Sequence, residues 1–431
     1  MEMSAAREIA PDEALAPDTG KPLPASSFWR FAIGFIIFGI MWMMSGTIGS
    51  AVLFPQRFNA IFPGNAEAAL GTMNAIGSVF ALIANVVFGA LSDSTHSRFG
   101  KRTPWIACGG IIAGVAFWLT SIQTSVLGIA AFWGLLQIGL NMMLAPAFPV
   151  LSDRIPLNRR GTISAFYGAG MICGQSIGTI IGTQFITNMI PGFLCGAICW
   201  VLTGALVLII WPAERSTAIE RGDDTPSFNL KELLLSFAPP RHNCRDFYLA
   251  LSGRFLFVFG TFIISGYQLY VLERYIGLDD VAASHVLATM SIIIMVVSLA
   301  TSLTSGVISD RLCRRKPIVV VASIMIGAAI ALPWVFHSVA SMYGYAALSG
   351  FGSGIYNSVD QALNVDVLPS KEEAGRDLGI LNVANTAGQA FAPAVTSSIV
   401  LATSSYFLTF PCAIALILSG VALIMLIKSV R

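Results

Sequence analysis

The feature that most constrains the fold is a series of twelve apolar stretches, each long enough to cross a bilayer. A spanning helix needs about 20 mostly apolar residues, since lipid offers no hydrogen-bond partner to an open backbone. The sequence therefore predicts an all-α membrane protein with twelve transmembrane helices. The predicted helices are residues 29–53, 68–91, 105–122, 126–150, 162–188, 191–211, 247–272, 284–308, 318–336, 341–367, 378–402 and 406–427.

Composition supports this class and excludes others. Of the 431 residues, 55% are hydrophobic and 11% are charged, whereas soluble domains have about 25% charged residues. The net charge of +2 gives no basic surplus for a nucleic-acid partner. The seven Cys and four His form no cluster with metal-ligand spacing, and no phosphate-binding loop is present. We therefore expect no metal, no cofactor and no enzymatic activity.

The helices fall into two groups of six, separated by a polar connection. Residues 1–28 are rich in acid, Pro and Ser and predict a disordered cytosolic tail. The expected domains are an N-terminal six-helix bundle over 29–211, a cytosolic linker over 212–246 and a C-terminal bundle over 247–427. Residues 428–431 form a short cytosolic tail.

Basic residues predict the orientation, because they are enriched in cytosolic loops. With both termini in the cytosol, 22 of the 25 basic residues lie on the cytosolic side. Only Arg57 and Arg274 fall outside, and Arg254 lies within a helix. The expectation is a multi-pass protein of the plasma membrane that functions as a monomer.

Three short motifs recur in the same order at offsets of 213 to 217 residues. Three matches at nearly one offset predict two homologous halves of six helices. The pairs are Gly89-x-x-x-Asp93 with Gly306-x-x-x-Asp310, Asp153-x-x-Pro156 with Asp366-x-x-Pro369, and Gly174-Gln175 with Gly388-Gln389.

Two of these motifs place acids beside basic residues at cytosolic helix ends. Such clusters can latch two helix bundles together and release when the bundles rock. The alternative is a solvated loop that reflects only the orientation of the helices, and duplication of the cluster favours the gating role. The candidate gating residues are Asp93, Arg98, Arg102, Asp153, Asp310, Arg314, Arg315 and Asp366.

The loop that begins with Gly89-Ala-Leu-Ser-Asp93 resembles the signature loop of the major facilitator superfamily. This resemblance implies the major facilitator fold, two pseudo-symmetric six-helix bundles that rock about a central site lined by helices 1, 4, 7 and 10. More narrowly, the segments 97–105, 359–369 and 375–379 are similar to the sucrose-transporter-like and glycoside-pentoside-hexuronide:cation symporter branches. Melibiose-carrier-like members bind their cation with carboxylates on early helices, and the first helix here has none over 31–54.

Asp360 and Arg254 are charged residues inside predicted helices, where charge is costly and marks a transport pathway. Counted from the cytosolic helix ends, Asp360 lies about 13 Å deep and Arg254 about 12 Å deep. The shared depth predicts a buried ion pair. The pair is either a structural lock or a proton-coupling site in which protonation of Asp360 breaks it.

Neutral polar side chains occur in stripes on helices 4, 10 and 11, and helix 5 carries Tyr167 and Gln175. Amides suit hydroxyl-rich ligands because each offers a donor and an acceptor without a full charge to desolvate. Interhelical hydrogen bonding is the alternative role for each amide. The candidate substrate-binding residues are Gln137, Asn141, Tyr167, Gln175, Asn357, Gln361, Asn364, Asn385 and Gln389.

The leading functional hypothesis is a secondary active transporter that couples symport of a small hydrophilic substrate, a sugar or glycoside, to a proton. Two alternatives stay open at this stage. One is an exporter that expels a metabolite or drug in exchange for protons, and the other is a membrane sensor that does not transport.

Overall fold

The computed structural model describes residues 15–216, 244–312, 315–367 and 374–428. That part of the chain contains twelve long helices, and each overlaps one predicted stretch. They are α1 (Ala25–Thr47), α2 (Ala66–Asp93), α3 (Thr103–Ile122), α4 (Val126–Ala147), α5 (Leu157–Gln184), α6 (Met189–Ile210), α7 (Arg245–Ser265), α8 (Asp280–Leu312), α9 (Arg315–Phe336), α10 (Val339–Asp366), α11 (Ala374–Thr403) and α12 (Thr409–Met425).

The first helix of each half is prolonged by a segment that contains a π turn. After α1 the chain forms the π turn Ile48–Leu53 and the short helix Phe54–Ile61. After α7 it forms one helical turn, Gln268–Tyr270, and the π turn Val271–Tyr275. Pro55 occupies the first turn of its short helix, where its missing N–H costs no hydrogen bond.

The pairing of helices is the same in the two halves. In the first half, α1 packs on α5 and α6, α4 packs on α2 and α3, and α3 also packs on α6. Each of these pairs recurs six helices later, with α7 on α11 and α12, α10 on α8 and α9, and α9 on α12. The halves meet through two contacts, α2 with α11 and α5 with α8. Exchanging each helix for its equivalent in the other half turns one of these contacts into the other. The predicted pseudo-symmetric bundles are thus present.

Two glycines of the repeated Gly-Gln motif occupy equivalent helix contacts. A Cβ added to Gly174 on α5 would lie 2.3 Å from the carbonyl oxygen of Ile40 on α1. A Cβ added to Gly388 on α11 would lie 3.0 Å from the backbone nitrogen of Phe259 on α7. Small residues at such positions let two backbones approach, which favours packing in lipid.

Gly174→Val is expected to lower the free energy of unfolding by about 3 kcal/mol, because the side chain would force α1 and α5 apart. The yield of folded protein should fall as well. Gly168→Val on the same helix is the matched control, since nothing lies within 4 Å of a Cβ there. Melting followed by tryptophan fluorescence in lipid nanodiscs measures both. Equal melting temperatures for the two variants would contradict the assigned packing.

The N-terminal segment differs from its prediction. Strand β1 (Leu15–Ala16) pairs antiparallel with β2 (Lys21–Pro22), and α1 already begins at Ala25. The Asp18 carboxylate lies 3.4 Å from the guanidinium of Arg154, which holds the hairpin on the first half. A disordered tail through residue 28 is therefore wrong for residues 15–28, and residues 1–14 lie outside the described part.

Contacts between helix ends define two faces of the molecule. The start of α7 meets the end of the chain, where Asp246 accepts a hydrogen bond from the backbone of Lys428. The start of α9 does the same, since Lys316 donates to the carbonyl of Ile427. We call this side the terminal face and the other the distal face.

Most of the linker, residues 217–243, and the last residues, 429–431, lie outside the described part.

Eight of the described helices are long and apolar enough to cross a membrane by length and composition alone. The long helices α5, α10 and α11, which carry seven of the nine candidate substrate-binding residues, are not among the eight, and α12 is 17 residues long. Helices with polar side chains near their centres are those expected to face an aqueous path instead of lipid.

Candidate functional site

The centre of the second half contains the predicted pair of opposite charges. Arg254 Nη1 on α7 lies 3.2 Å from Asp360 Oδ2 on α10. The two residues are only 6% and 4% exposed. In such surroundings neither charge is stable without the other, because removal from water penalises an isolated ion. The pair therefore joins α7 to α10 as long as Asp360 is ionised.

Aromatic stacking sets the register of these two helices. The rings of Phe257 on α7 and Tyr356 on α10 stack with centroids 4.0 Å apart. Arg254 and Asp360 each lie one helical turn from these rings, on the side of the terminal face. Because α7 and α10 run in opposite directions, the stack brings the two charges to one level.

A third helix completes the site through Asn385 on α11. Arg254 Nε donates a hydrogen bond of 2.8 Å to Asn385 Oδ1. Gly388, one turn away, allows the close approach of α11 to α7 that this bond requires. Asn385 was predicted as a substrate-binding residue, and in this structure it orients the arginine of the ion pair.

Three predicted amides are exposed although they lie well inside long helices. These are Gln175 on α5, Asn357 on α10 and Gln389 on α11. An amide exposed to hydrocarbon at this depth would lose its hydrogen bonds, so we expect these side chains to face an aqueous path. Gln175 and Gln389 follow the equivalent glycines of the two halves, and the repeat therefore gives each half one exposed amide at the equivalent position.

Gln137 and Asn141 on α4 take part in packing between helices. Asn141 is 8% exposed and accepts a 3.1 Å hydrogen bond from Asn85 on α2. It also donates to the carbonyl of Gln137 at 2.9 Å. The side chain of Gln137 lies next to Gly77 of α2. This geometry favours the interhelical role over substrate binding for both residues.

Tyr167 on α5 is also part of a packed cluster. It is 7% exposed, and its hydroxyl accepts a 3.1 Å hydrogen bond from the indole nitrogen of Trp42. Its ring stacks on Phe38 and meets Phe148 edge-on. A sugar has no access to a ring enclosed in this way, so Tyr167 holds α1 against α5.

Several predicted site residues cannot be placed because their side chains lie outside the described part of the chain. They are Asp310, Arg314, Arg315, Gln361, Asn364 and Asp366.

At the terminal face, Arg102 is the centre of a charged network. It is 4% exposed, pairs with Asp93, and lies 3.0 Å from Asp153. Arg102 Nη1 donates to Ser92 Oγ at 2.6 Å. All these partners belong to the first half, so in this conformation the network braces one bundle. Arg98 is exposed and lies over the ring of Phe99 outside the network.

A residue that sequence reasoning missed caps the start of α3 in this network. The Glu214 carboxylate, just after α6, accepts hydrogen bonds of 3.0 Å from the backbone nitrogens of Arg102 and Thr103. A carboxylate at a helix N-terminus is stabilised by the free N–H groups and the helix dipole. The sequence contains no local signal for it, because Glu214 lies 111 residues from Thr103.

Arg102→Gln is expected to destabilise the first bundle by about 2 kcal/mol, because the buried guanidinium loses its bonds to Ser92 and Asp153, although Lys101 stays 3.5 Å from Asp153. Arg98→Gln serves as the control, since it removes the same charge from an exposed position in the same loop. Thermal unfolding in nanodiscs should show a lower melting temperature for the first variant alone. The bracing role fails if Arg98→Gln lowers the melting temperature equally.

At the distal face the two halves are joined through a buried carboxylate. Glu67, in the first turn of α2, is 2% exposed and forms an ion pair with Arg274, which follows α7. Tyr406, between α11 and α12, donates to Glu67 Oε1 at 3.2 Å. Hydrogen bonds of Tyr270 to Pro55 and of Tyr267 to Glu67 also cross between the halves.

A second set of polar contacts lies beside this carboxylate. Asn59 donates to Glu273 Oε2 at 3.0 Å and accepts from Arg274 at 2.7 Å. Gln56 donates to Asp280 Oδ2 at 2.7 Å. We call the whole group the distal seam, which consists of Gln56, Asn59, Glu67, Tyr267, Tyr270, Glu273, Arg274, Asp280 and Tyr406.

The distal seam closes the molecule on that side, and sequence reasoning missed it. A signal was present, since Arg274 is one of two basic residues on the side predicted to be extracellular and Glu67 is an acid at the mouth of α2. Their partnership depends on how the two halves meet, which local sequence does not specify. Among the described residues, no group of three or more His, Cys, Asp or Glu has the arrangement of a metal site.

Comparison with known proteins identifies the family. The sequence model of one protein family, the Major Facilitator Superfamily, matches this chain over residues 31–335 and 250–430. The chain belongs to this superfamily. It is a multi-pass membrane protein and a secondary transporter of small solutes, not an enzyme.

A solved structure supports the same fold. A bacterial homologue of the human lysosomal transporter Spinster, in an inward-facing and occupied conformation, superposes with a TM-score of 0.72 at 11% sequence identity. The match covers 95% of this chain and 98% of that one. At this identity the likeness concerns the fold alone. No curated protein sequence matches the chain.

Proposed function

We propose that this transporter is a proton-coupled symporter of a sugar or glycoside that works as a monomer in the plasma membrane by alternating access. The observation that carries the proposal is the buried pair of Arg254 and Asp360 in the centre of the helices. The distribution of basic residues supports a cytosolic position for the terminal face. The distal seam then closes the extracellular side, which makes this conformation inward-facing.

Coupling follows from the chemistry of the pair. An ionised Asp360 attracts Arg254 and holds α10 against α7, whereas a protonated Asp360 carries no charge and releases the arginine. The freed guanidinium keeps Asn385 as one partner. Protonation thus changes the contacts among α7, α10 and α11, and these helices belong to the bundle that must move relative to the first half.

The substrate class rests on the exposed amides. Gln175, Asn357 and Gln389 offer donors and acceptors for hydroxyl groups, and none carries a charge that would select an ionic substrate. The resemblance of the segments 97–105 and 359–369 to sugar-carrying branches supports the same class. The absence of a carboxylate in the first predicted helix favours a proton over sodium as the coupling ion.

The test is the direction of proton movement that a sugar gradient causes. Purified protein is reconstituted into liposomes that contain a pH-sensitive dye, and disaccharides and aryl glycosides are added outside one at a time. For a symporter, at least one of these compounds acidifies the lumen as sugar and protons enter together. Alkalinisation of the lumen would identify proton antiport. A pH that stays constant for compounds shown to enter would contradict proton coupling.

A further inference from the structure

The distal seam contains a carboxyl group that the proposed transport mechanism does not use. Glu273 lies just beyond α7, and its Oε2 accepts the hydrogen bond from Asn59 of the opposite half. Its other oxygen, Oε1, is buried and has no hydrogen-bond partner among the described atoms. A buried oxygen without a donor is unfavourable for an ionised carboxylate, which concentrates charge on both oxygens.

The groups around Glu273 add to this cost. Two further acids face it from separate elements, Asp280 at the start of α8 and Glu67 at the start of α2. Arg274, the neighbouring cation, already pairs with Glu67 and donates to Asn59. Among its described residues, the distal seam thus contains three carboxyl groups and one cationic side chain, that of Arg274. Like charges at close range favour the neutral form of one member.

We propose that Glu273 is a proton-binding site of the distal seam, protonated when the two halves close there and ionised when they separate. Asn59 and Gln56 belong to the first half, whereas Glu273 and Asp280 belong to the second. Opening the seam therefore breaks their bonds and exposes the Glu273 carboxyl group fully to water. This site is separate from Asp360, and the inference does not depend on what the protein carries.

The sign of the effect follows from the pKa of Glu273. Burial, and next the charge of Asp280, raise this pKa from its ordinary value of 4.5 to about 7 in the closed seam. Closure therefore takes up a proton between these two pH values, is favoured in acid, and loses that contribution as pH rises through about 7.

The experiment measures the seam directly in the full chain. Spin labels are attached to Asn65→Cys in the first half and Val281→Cys in the second, both at exposed positions, after removal of the seven native cysteines. Electron–electron resonance in nanodiscs then gives the populations with short and long separations. Between pH 8 and pH 5.5 the closed-to-open ratio should rise on the order of tenfold.

Two variants assign this dependence to Glu273. Glu273→Gln keeps an acceptor for Asn59 but cannot titrate, so its ratio should be the same at both pH values. Asp279→Asn, one residue from Asp280 and able to keep the cap on α8 through its oxygen, should respond as the parent does. The same measurements in an Asp360→Asn background should still show the dependence, which separates this site from the proposed coupling site.

Two results would overturn the proposal. One is a parental closed-to-open ratio that does not change with pH. The other is a Glu273→Gln protein that keeps the parental response, which would assign the titration to another group of the seam, or to His285 beside it.

Discussion

Asp360→Asn will abolish concentrative uptake while leaving exchange of substrate across the membrane intact. Without a carboxylate there is no proton to carry and no charge to hold Arg254, so an imposed proton gradient no longer drives the bundles in one direction. Accumulation driven by external acid should fall at least tenfold, to the level of equilibration. Counterflow of labelled against unlabelled substrate, which needs no gradient, should continue.

Two features keep this result interpretable. Loss of one member of a buried pair can destabilise a protein by about 3 to 5 kcal/mol. Loss of transport alone would therefore not separate misfolding from uncoupling. Continued counterflow shows that the variant is folded, and Asp360→Glu, which retains a titratable group, should recover part of the accumulation. If Asp360→Asn concentrates substrate as the parent does, the proton is carried elsewhere.

Arg274→Gln will shift the protein towards the conformation that is open at the distal face. The substitution leaves Glu67 buried with only neutral partners, which penalises the closed seam. Because Arg274 itself is partly exposed, we expect the closed conformation to lose about 2 kcal/mol relative to the open one. The closed-to-open ratio should then fall about 30-fold. The spin-label pair at Asn65→Cys and Val281→Cys measures this ratio.

Arg57→Gln is the matched control for this prediction. Arg57 is also a distal-face arginine, but it donates to the carbonyl of Gln123 within its own half. Its removal takes away the same charge without touching a contact between halves, so the ratio should stay near that of the parent. A similar shift in both variants would mean that general surface charge, and not the pair with Glu67, holds the distal face closed.

Features that depend on helix geometry alone were predictable. The rise of 1.5 Å per residue placed Arg254 and Asp360 at one depth, and the structure shows the pair. The repeated motifs predicted two equivalent halves, and the recurrence of the five main helix pairs of each half confirms them. Both inferences count residues along a regular helix, so they survive errors of a few residues at helix ends.

Features that depend on rotation of a helix or on contact between halves were not predictable. Asn141 and Tyr167 lie on the predicted helices, but neighbouring helices enclose their side chains. Polar spacing cannot distinguish an amide that faces water from one that bonds to another helix, as Asn385 and Asn141 illustrate. The seam between Glu67 and Arg274 joins residues 207 positions apart and needed the assembled fold.

The proposed gating clusters illustrate a third limit. Asp93 and Arg102 are paired as their spacing suggests, yet the contacts described for them remain in the first half. Alternation would have to bring the terminal ends of the two halves together for these residues to act as a latch. In this conformation the Arg102 network stabilises the first bundle. That the clusters hold the two bundles together stays a prediction for the outward-facing state.

The central claim is that a proton gradient drives solute movement through this protein, and accumulation under an imposed gradient tests it most directly. Liposomes that contain the parental protein and an alkaline lumen are diluted into acidic buffer with a labelled sugar identified by the proton-flux assay. We predict uptake above the external concentration, followed by release when a protonophore collapses the gradient. Uptake that only equilibrates, or that a protonophore leaves unchanged, would contradict it.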